Sequence, residues 1–159
     1  MKKLIKLISI IVVVIGLIVF ISFVRSDRPA PDEDALFKTN GKIIEVNGHH
    51  LNVYLSGNPN SDFTLVFMSG AGTCSPTLDF KTLYSLFEKD YQIAVVEKDG
   101  YGFSDISDTS RDIDTILFET RESLNLAGVT NHNYILFPHS MSGIEALYWA
   151  NKYPEEIKG

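Results

Sequence analysis

Cysteine is almost absent: Cys74 is the only one in 159 residues. A lone cysteine closes no internal disulfide and supplies no cysteine-based zinc site, so packing must hold the fold, and neither a metal nor a cofactor is expected. Basic charge is scarce beyond the N-terminus. The formal net charge is −6, all 20 acidic residues lie after residue 25, and only 10 of the 14 Lys and Arg accompany them there. An acidic body of this kind excludes nucleic acid as a surface partner and argues against adsorption to anionic lipid. Repeats and low-complexity tracts are also missing. With 45% hydrophobic and 21% charged residues, the composition is that of a globular chain.

What is present begins with an uncharged run. Leu7–Val24 reads LISIIVVVIGLIVFISFV. As a helix it would be roughly 27 Å long, close to a hydrocarbon core of ~30 Å. It is apolar all round, so only lipid or a large core would accept it. Lys2, Lys3 and Lys6 precede it, as in a signal peptide. The run nevertheless exceeds the usual apolar region of about 7–15 residues, and no small-x-small cleavage site follows. Residues 1–25 are therefore expected to form an uncleaved transmembrane signal anchor. Residues 26–40, with Pro29, Pro31 and the cluster Asp32-Glu33-Asp34, read as a linker, and residues 41–159 as the globular domain. The lysines on the N-terminal side predict an N-terminus inside and a domain outside the cytoplasm.

In the globular part, Lys42–Val46 and Leu51–Leu55 are β-prone, with Asn47-Gly48 between them as a hairpin signal. Phe63–Met68, Ile93–Val96 and Tyr134–Phe137 are continuous apolar runs, as in strands buried on both faces. Leu78–Lys89 reads as a helix through Leu78, Leu83, Leu86 and Phe87. Arg111–Ala127 reads as another, with a capping box from Thr109 and Asp112 and a stop at Gly128. A last helix runs from Ser140 to about Tyr153, before Pro154. The order β-β-β-α-β-α-β-α predicts an α/β fold with a mostly parallel sheet covered on both faces. Its chemistry belongs at the carboxyl ends of the strands.

Three loops lie there. After the strand Tyr134–Phe137 comes Pro138-His139-Ser140-Met141-Ser142-Gly143. Strand, sharp turn with Ser at its apex, and helix together make a nucleophile elbow. A hydroxyl is a weak nucleophile and must be projected toward a base and a substrate, which the strained turn achieves. The usual flanking glycines are replaced by Pro138 and Ser142, and small size at the second of these is assigned to strand–helix clearance. The bland alternative makes Ser140 a helix N-cap. After Phe63–Met68 comes Ser69-Gly70-Ala71-Gly72-Thr73, whose glycines let backbone approach a substrate oxygen. Ala71 and Met141 are the expected backbone donors of an oxyanion hole. A phosphate loop would need Gly-Lys-Ser/Thr, and a dinucleotide loop a third glycine. Neither is present.

The third loop, Glu97-Lys98-Asp99-Gly100-Tyr101-Gly102-Phe103-Ser104-Asp105, follows the fourth strand. An acid-x-x-Gly-x-Gly-x-Ser loop, a Gly-rich loop and a His-Ser-Met elbow, in this order on these elements, resemble the α/β-hydrolase family over residues 41–159. The branch of proline iminopeptidases and related esterases is the nearest in pattern. The resemblance implies that the third loop is structural, so Asp99 and Asp105 are expected to be turn and cap residues. It also implies a triad acid and histidine after later strands, beyond Gly159. The chain is thus expected to be an N-terminal part, truncated after the elbow helix. His49, His50, His132 and His139 are expected on the surface or in packing roles rather than as the base.

The expected function is a membrane-anchored serine hydrolase acting on ester or amide bonds of a small molecule or peptide through an acyl-Ser140 intermediate. The alternative is a non-catalytic membrane-tethered module of the same fold, or a decayed gene product.

Overall fold

The structure, a computed structural model, describes residues 2–26 and 39–159. The chain divides into two units, Met1–Lys38 and Thr39–Gly159. The expected linker falls almost wholly outside the described residues.

In the first unit, Lys2–Ser26 forms helix α1. Its described apolar side chains, such as Val13 and Phe20, are exposed. The continuous stretch whose side chains are described is residues 9–22, about 21 Å of helix, against a hydrocarbon core of ~30 Å. Among the described residues no helix is long and apolar enough to cross a membrane. The expected transmembrane span is therefore not found among them.

The second unit is a five-stranded mixed sheet. Its strands are β1 (Lys42–Val46), β2 (His49–Gly57), β3 (Thr64–Met68), β4 (Gln92–Glu97) and β5 (Tyr134–Pro138). They lie in the order β1-β2-β4-β3-β5. β3 pairs in parallel with β4 and β5, and β2 pairs antiparallel with β1 and β4. Four strands therefore share one direction and β2 alone opposes them. The β1–β2 hairpin turns at Asn47 and Gly48, with φ of 57° and 82°, the left-handed pair that an Asn-Gly turn supplies at little steric cost. β3 and β4 are buried at every residue, which is why they read as unbroken apolar runs rather than alternating ones.

Helices cover both faces. On one side Ile113–Ala127 (α4) and Ser142–Lys152 (α5) press Leu117, Leu124, Ala146 and Trp149 onto Val53, Val66, Ala94 and Val96. Asp112 caps α4 by accepting from the Thr115 N–H, and Gly128, at φ 104°, closes it. The cap is thus Asp112 itself, and the Thr109–Asp112 box is not formed.

The other face differs from expectation. Leu78–Lys89 is not one helix. It is two short turns, Pro76–Asp79 (α2) and Lys81–Tyr84 (α3), followed by further turns. Its leucines do not form the buried stripe: Leu78, Leu83 and Leu86 are all exposed. The inward stripe is aromatic instead: Phe80, Tyr84, Phe87 and Tyr91 pack on Leu65, Phe67, Ile93 and Val95. Their spacing is helical too, and area favours them, because an aromatic ring buries more apolar surface than a leucine. Tyr84 meets Tyr54 and Phe67 at ring-centroid distances of 5.4 and 6.0 Å. Burial, with the neighbouring Tyr54 hydroxyl, pushes its own hydroxyl pKa up.

Beyond β5, residues 156–159 run along its outer edge. Tyr134 N–H donates to Glu156 O, Leu136 N–H donates to Gly159 O, and Lys158 N–H donates to Tyr134 O. Ile157 pairs in parallel with Tyr134. Arg121 holds Glu156 from α4, with its guanidinium 3.6 Å from the centroid of the Tyr153 ring.

Candidate functional site

The carboxyl ends of β3, β4 and β5 bring the three loops together. The elbow is the strained one. Ser140 has φ 58°, a left-handed conformation that costs a non-glycine residue about 1–3 kcal/mol. It follows directly on β5, and Met141, not Ser140, stands at the N-cap of α5. The bland N-cap role is therefore excluded, and Ser140 is exposed at the apex of the turn.

Two features hold that turn. Gly70 packs against it so closely that a Cβ there would lie 2.8 Å from Ser140 Cβ and 2.9 Å from His139 O. Only glycine fits. Ser142 is fully buried, and its Oγ accepts from His139 N–H at 2.8 Å. Its proton lies between the carbonyls of Met68 at 2.7 Å and His139 at 2.8 Å. The assignment of Ser142 to clearance alone is corrected: it is a hydrogen-bonded staple between the end of β3 and the elbow. The hydroxyl in place of glycine was the available signal. Pro138 lies at the last position of β5, paired with Met68, and the next ladder bond, His139 N–H to Met68 O, is intact.

Ala71 and Met141 line one cavity of about 230 Å³, together with Lys98, Tyr101, Arg111 and Glu145. Among the described residues, neither of their backbone N–H groups donates to a protein acceptor. Ser140 itself borders a different space, an apolar hollow of about 500 Å³ lined by Ile144, Leu147 and Ile157. Ile144 and Leu147 are 61% and 75% exposed.

The loop after β4 has the opposite character. Glu97 is fully buried. Its carboxylate accepts from Asn52 Nδ2 at 3.0 Å, Thr77 Oγ1 at 2.8 Å and Phe103 N–H at 2.8 Å. Gly102 lies against it at φ 54°, and a Cβ there would fall 1.9 Å from Glu97 Oε2. Ser104 Oγ donates to Glu97 O and accepts from Asn52 N–H. Asp99 accepts from Ser107 N–H and Oγ. Asp105 accepts from His50 N–H and faces its ring at 2.9 Å, and these bonds hold its carboxyl below the usual range. Every acid of this loop is thus engaged, by the loop itself, by β2, by Thr77 or, for Asp99, also by Arg111 at 3.7 Å.

None of the four histidines meets Ser140. His49 is buried, 3.5 Å from Glu119. His50 pairs with Asp105 on β2, three strands from β5 in the sheet order, or roughly 14 Å at the usual strand spacing. His132 approaches the Tyr134 hydroxyl at the amino end of β5. His139 faces the Phe80 ring.

Comparison with known proteins agrees with this architecture. No family model matches the chain. The uncharacterized protein YbdG of Bacillus subtilis (strain 168) is 45% identical over 157 residues, which is 98% of this chain and 47% of that protein. The chain thus spans about half the length of the curated relative it matches. Among solved structures, an α/β hydrolase enzyme from a deep-sea metagenome library is similar with a TM-score of 0.64 at 20% identity, over 74% of this chain and 42% of that one. The thioesterase domain from the curacin biosynthetic pathway gives 0.65 at 20%, over 77% and 44%. A meta-cleavage product hydrolase gives 0.65 at 18%, over 74% and 42%. At these identities the likeness is one of fold: residues 39–159 carry an α/β-hydrolase-type fold.

Proposed function

We propose that this protein is a serine hydrolase in which Ser140 attacks the carbonyl of an ester or amide. The observation that carries the reading is the left-handed backbone of Ser140 at the β5–α5 turn. That strain is tolerated because tight packing by Gly70 and the Ser142 staple over-determine it, and strain of this kind collects at functional sites. Oγ forms a bond to the carbonyl carbon while its proton passes to a base, and the carbonyl electrons become an oxyanion. The free N–H groups of Ala71 and Met141 receive that charge. Collapse expels the alcohol or amine with a proton from the base, leaving acyl-Ser140, which water then cleaves. No cofactor or metal enters these steps.

The proposed base and its orienting acid come from outside these 159 residues; what supports this is that no histidine ring among the described residues hydrogen-bonds the Ser140 hydroxyl, with His50 on Asp105 and His132 on the Tyr134 hydroxyl. By the same argument the 159-residue chain alone should turn over p-nitrophenyl esters negligibly. The proposed substrate class is an ester or amide of a small molecule or peptide. α1, with its exposed apolar face and its N-terminal lysines, is proposed to tether the hydrolase unit outside the cytoplasm, with the N-terminus inside. Protease digestion of intact protoplasts tests the tether: a soluble cytosolic protein would reject it.

The catalytic test is labelling of the full-length protein with a fluorophosphonate, which needs both an activated hydroxyl and a formed oxyanion hole. Ser140→Ala should abolish labelling and leave the fold intact. A folded full-length protein that never labels would favour the second reading, a non-catalytic tethered module, for which the unpaired Ser140 within this chain is the motivating observation.

A further inference from the structure

The two free N–H groups at the elbow belong to different segments. Ala71 sits in the loop after β3 and Met141 at the start of α5. An oxyanion hole works only if such donors keep a fixed separation when charge develops, because their value lies in not having to reorganise. At the base of the site, Ser142 Oγ and His139 N–H tie the elbow to Met68 O. Those bonds stop at the end of β3. Beyond Met68 the loop is held by the packing of Gly70 on the elbow and by the Gly72 N–H, which donates to the Tyr101 hydroxyl at 3.3 Å.

One side chain reaches both segments. Lys98, just past β4, donates from Nζ to Ser69 O at 2.9 Å and to Glu145 Oε1 at 2.7 Å. Its third face turns toward the Tyr101 ring, 5.5 Å from the centroid. The pair is largely buried, at 11% and 14% exposure. Ser69 O belongs to the peptide unit that leads into Gly70, so gripping it sets the direction of the loop carrying Ala71. Glu145 lies four residues after Met141, hence on the same face of the helical turn one step along. Its charge also sits in the first turn of α5, where the helix dipole favours an acid. Glu145 neutralises the ammonium, so the pair acts through geometry rather than as a bare charge offered to substrate.

We infer that Lys98 is a positioning residue that locks the loop after β3 to the elbow helix and so fixes the spacing of the Ala71 and Met141 donors. The inference rests on the serine-hydrolase reading for its catalytic consequence but not for its structural one, and two measurements separate them. In hydrogen exchange, Lys98→Met keeps the apolar stem and loses the donors. It should speed exchange in residues 69–73 and 139–143 while the β1–β2 hairpin and α4 stay as in wild type. In fluorophosphonate labelling of the full-length protein, Lys98→Met should be slower by about 10–100-fold, the scale of a misplaced donor. Lys98→Arg, which keeps donors to both acceptors, should restore most of the rate, and Glu145→Gln should fall between. If Lys98→Met does not fold, the Arg and Gln variants carry the same comparison. Wild-type labelling with unchanged local exchange in Lys98→Met, or in Glu145→Gln where that variant must serve, overturns the inference. Absent labelling in wild type sinks the hydrolase reading instead, and the exchange result alone then decides the lock.

Discussion

The loops after β4 and after β5 leave neighbouring regions of the same sheet and treat their polar groups in opposite ways. After β4, the hydrogen bonds of Glu97, Asp99, Ser104 and Asp105 go to the loop, to Ser107 just past it, to β2 and to Thr77 of α2. After β5, Ser140 stands exposed in a strained conformation, and the Met141 N–H has no protein acceptor among the described residues. A satisfied loop can be rigid, and its bonded carboxylates are not free to react. A site that reacts must keep groups unspent, and the stability this forfeits is made up around it, here by Ser142, Gly70 and the caged Glu97.

The sharpest way to break the β4 loop is at Gly102. A Cβ there meets the buried Glu97 carboxylate at 1.9 Å, at a φ that L-residues avoid. Gly102→Ala should destabilise the domain by roughly 3–5 kcal/mol, combining overpacking with left-handed strain, as read from urea unfolding. Gly143→Ala, in the first turn of α5, is the control. Nothing lies within 4 Å of the added atom, so the helix should accept it or gain slightly.

Next in size is Ser142→Ala, which removes the staple while keeping the volume small. It should cost about 1–3 kcal/mol, because buried partners lose their hydrogen bond, and it should slow labelling of Ser140. Unchanged stability would return Ser142 to a mere clearance role. Smaller, and opposite in sign, is Ser140→Gly. Glycine accepts φ 58° without penalty, so the variant should be more stable by about 1 kcal/mol although it cannot label. A loss of stability would show that the turn is not strained.

Much of this was legible in the sequence because local rules and tertiary context agreed. Asn47-Gly48 fixed a hairpin, unbroken apolar runs marked β3 and β4, and Gly128 ended α4. The elbow was recognisable from a serine between an apolar strand and a helix, even with Pro138 and Ser142 in place of glycines; the strand itself is at most half-buried past Tyr134. The misread segment was 78–89, where leucines and aromatics both follow a helical period. Periodicity alone does not say which stripe faces in, and the sheet chose the aromatic one. The role of Ser142 and the reach of Lys98 were not legible either. Each depends on a partner far along the chain, Met68 for one, Ser69 and Glu145 for the other, and no local pattern encodes such pairings.

The smallest effect tests whether the satisfied loop is satisfied electrostatically as well as sterically. Asp105 is exposed, so its contribution to stability is slight, but its titration can be observed directly. The His50 backbone N–H, then the His50 ring, hold the carboxylate in its charged form and lower its pKa. A group whose folded pKa is depressed adds stability above its unfolded value, near 3.9 for aspartate, and loses it as pH falls through the folded value. Carbon NMR of the Asp105 carboxyl should therefore give a midpoint below that value in wild type. In His50→Ala the ring bond and the imidazole charge disappear while the backbone N–H remains, so the midpoint should rise part of the way back. A full return would mean that the ring alone sets the shift. No change would mean that the backbone bond does all of it.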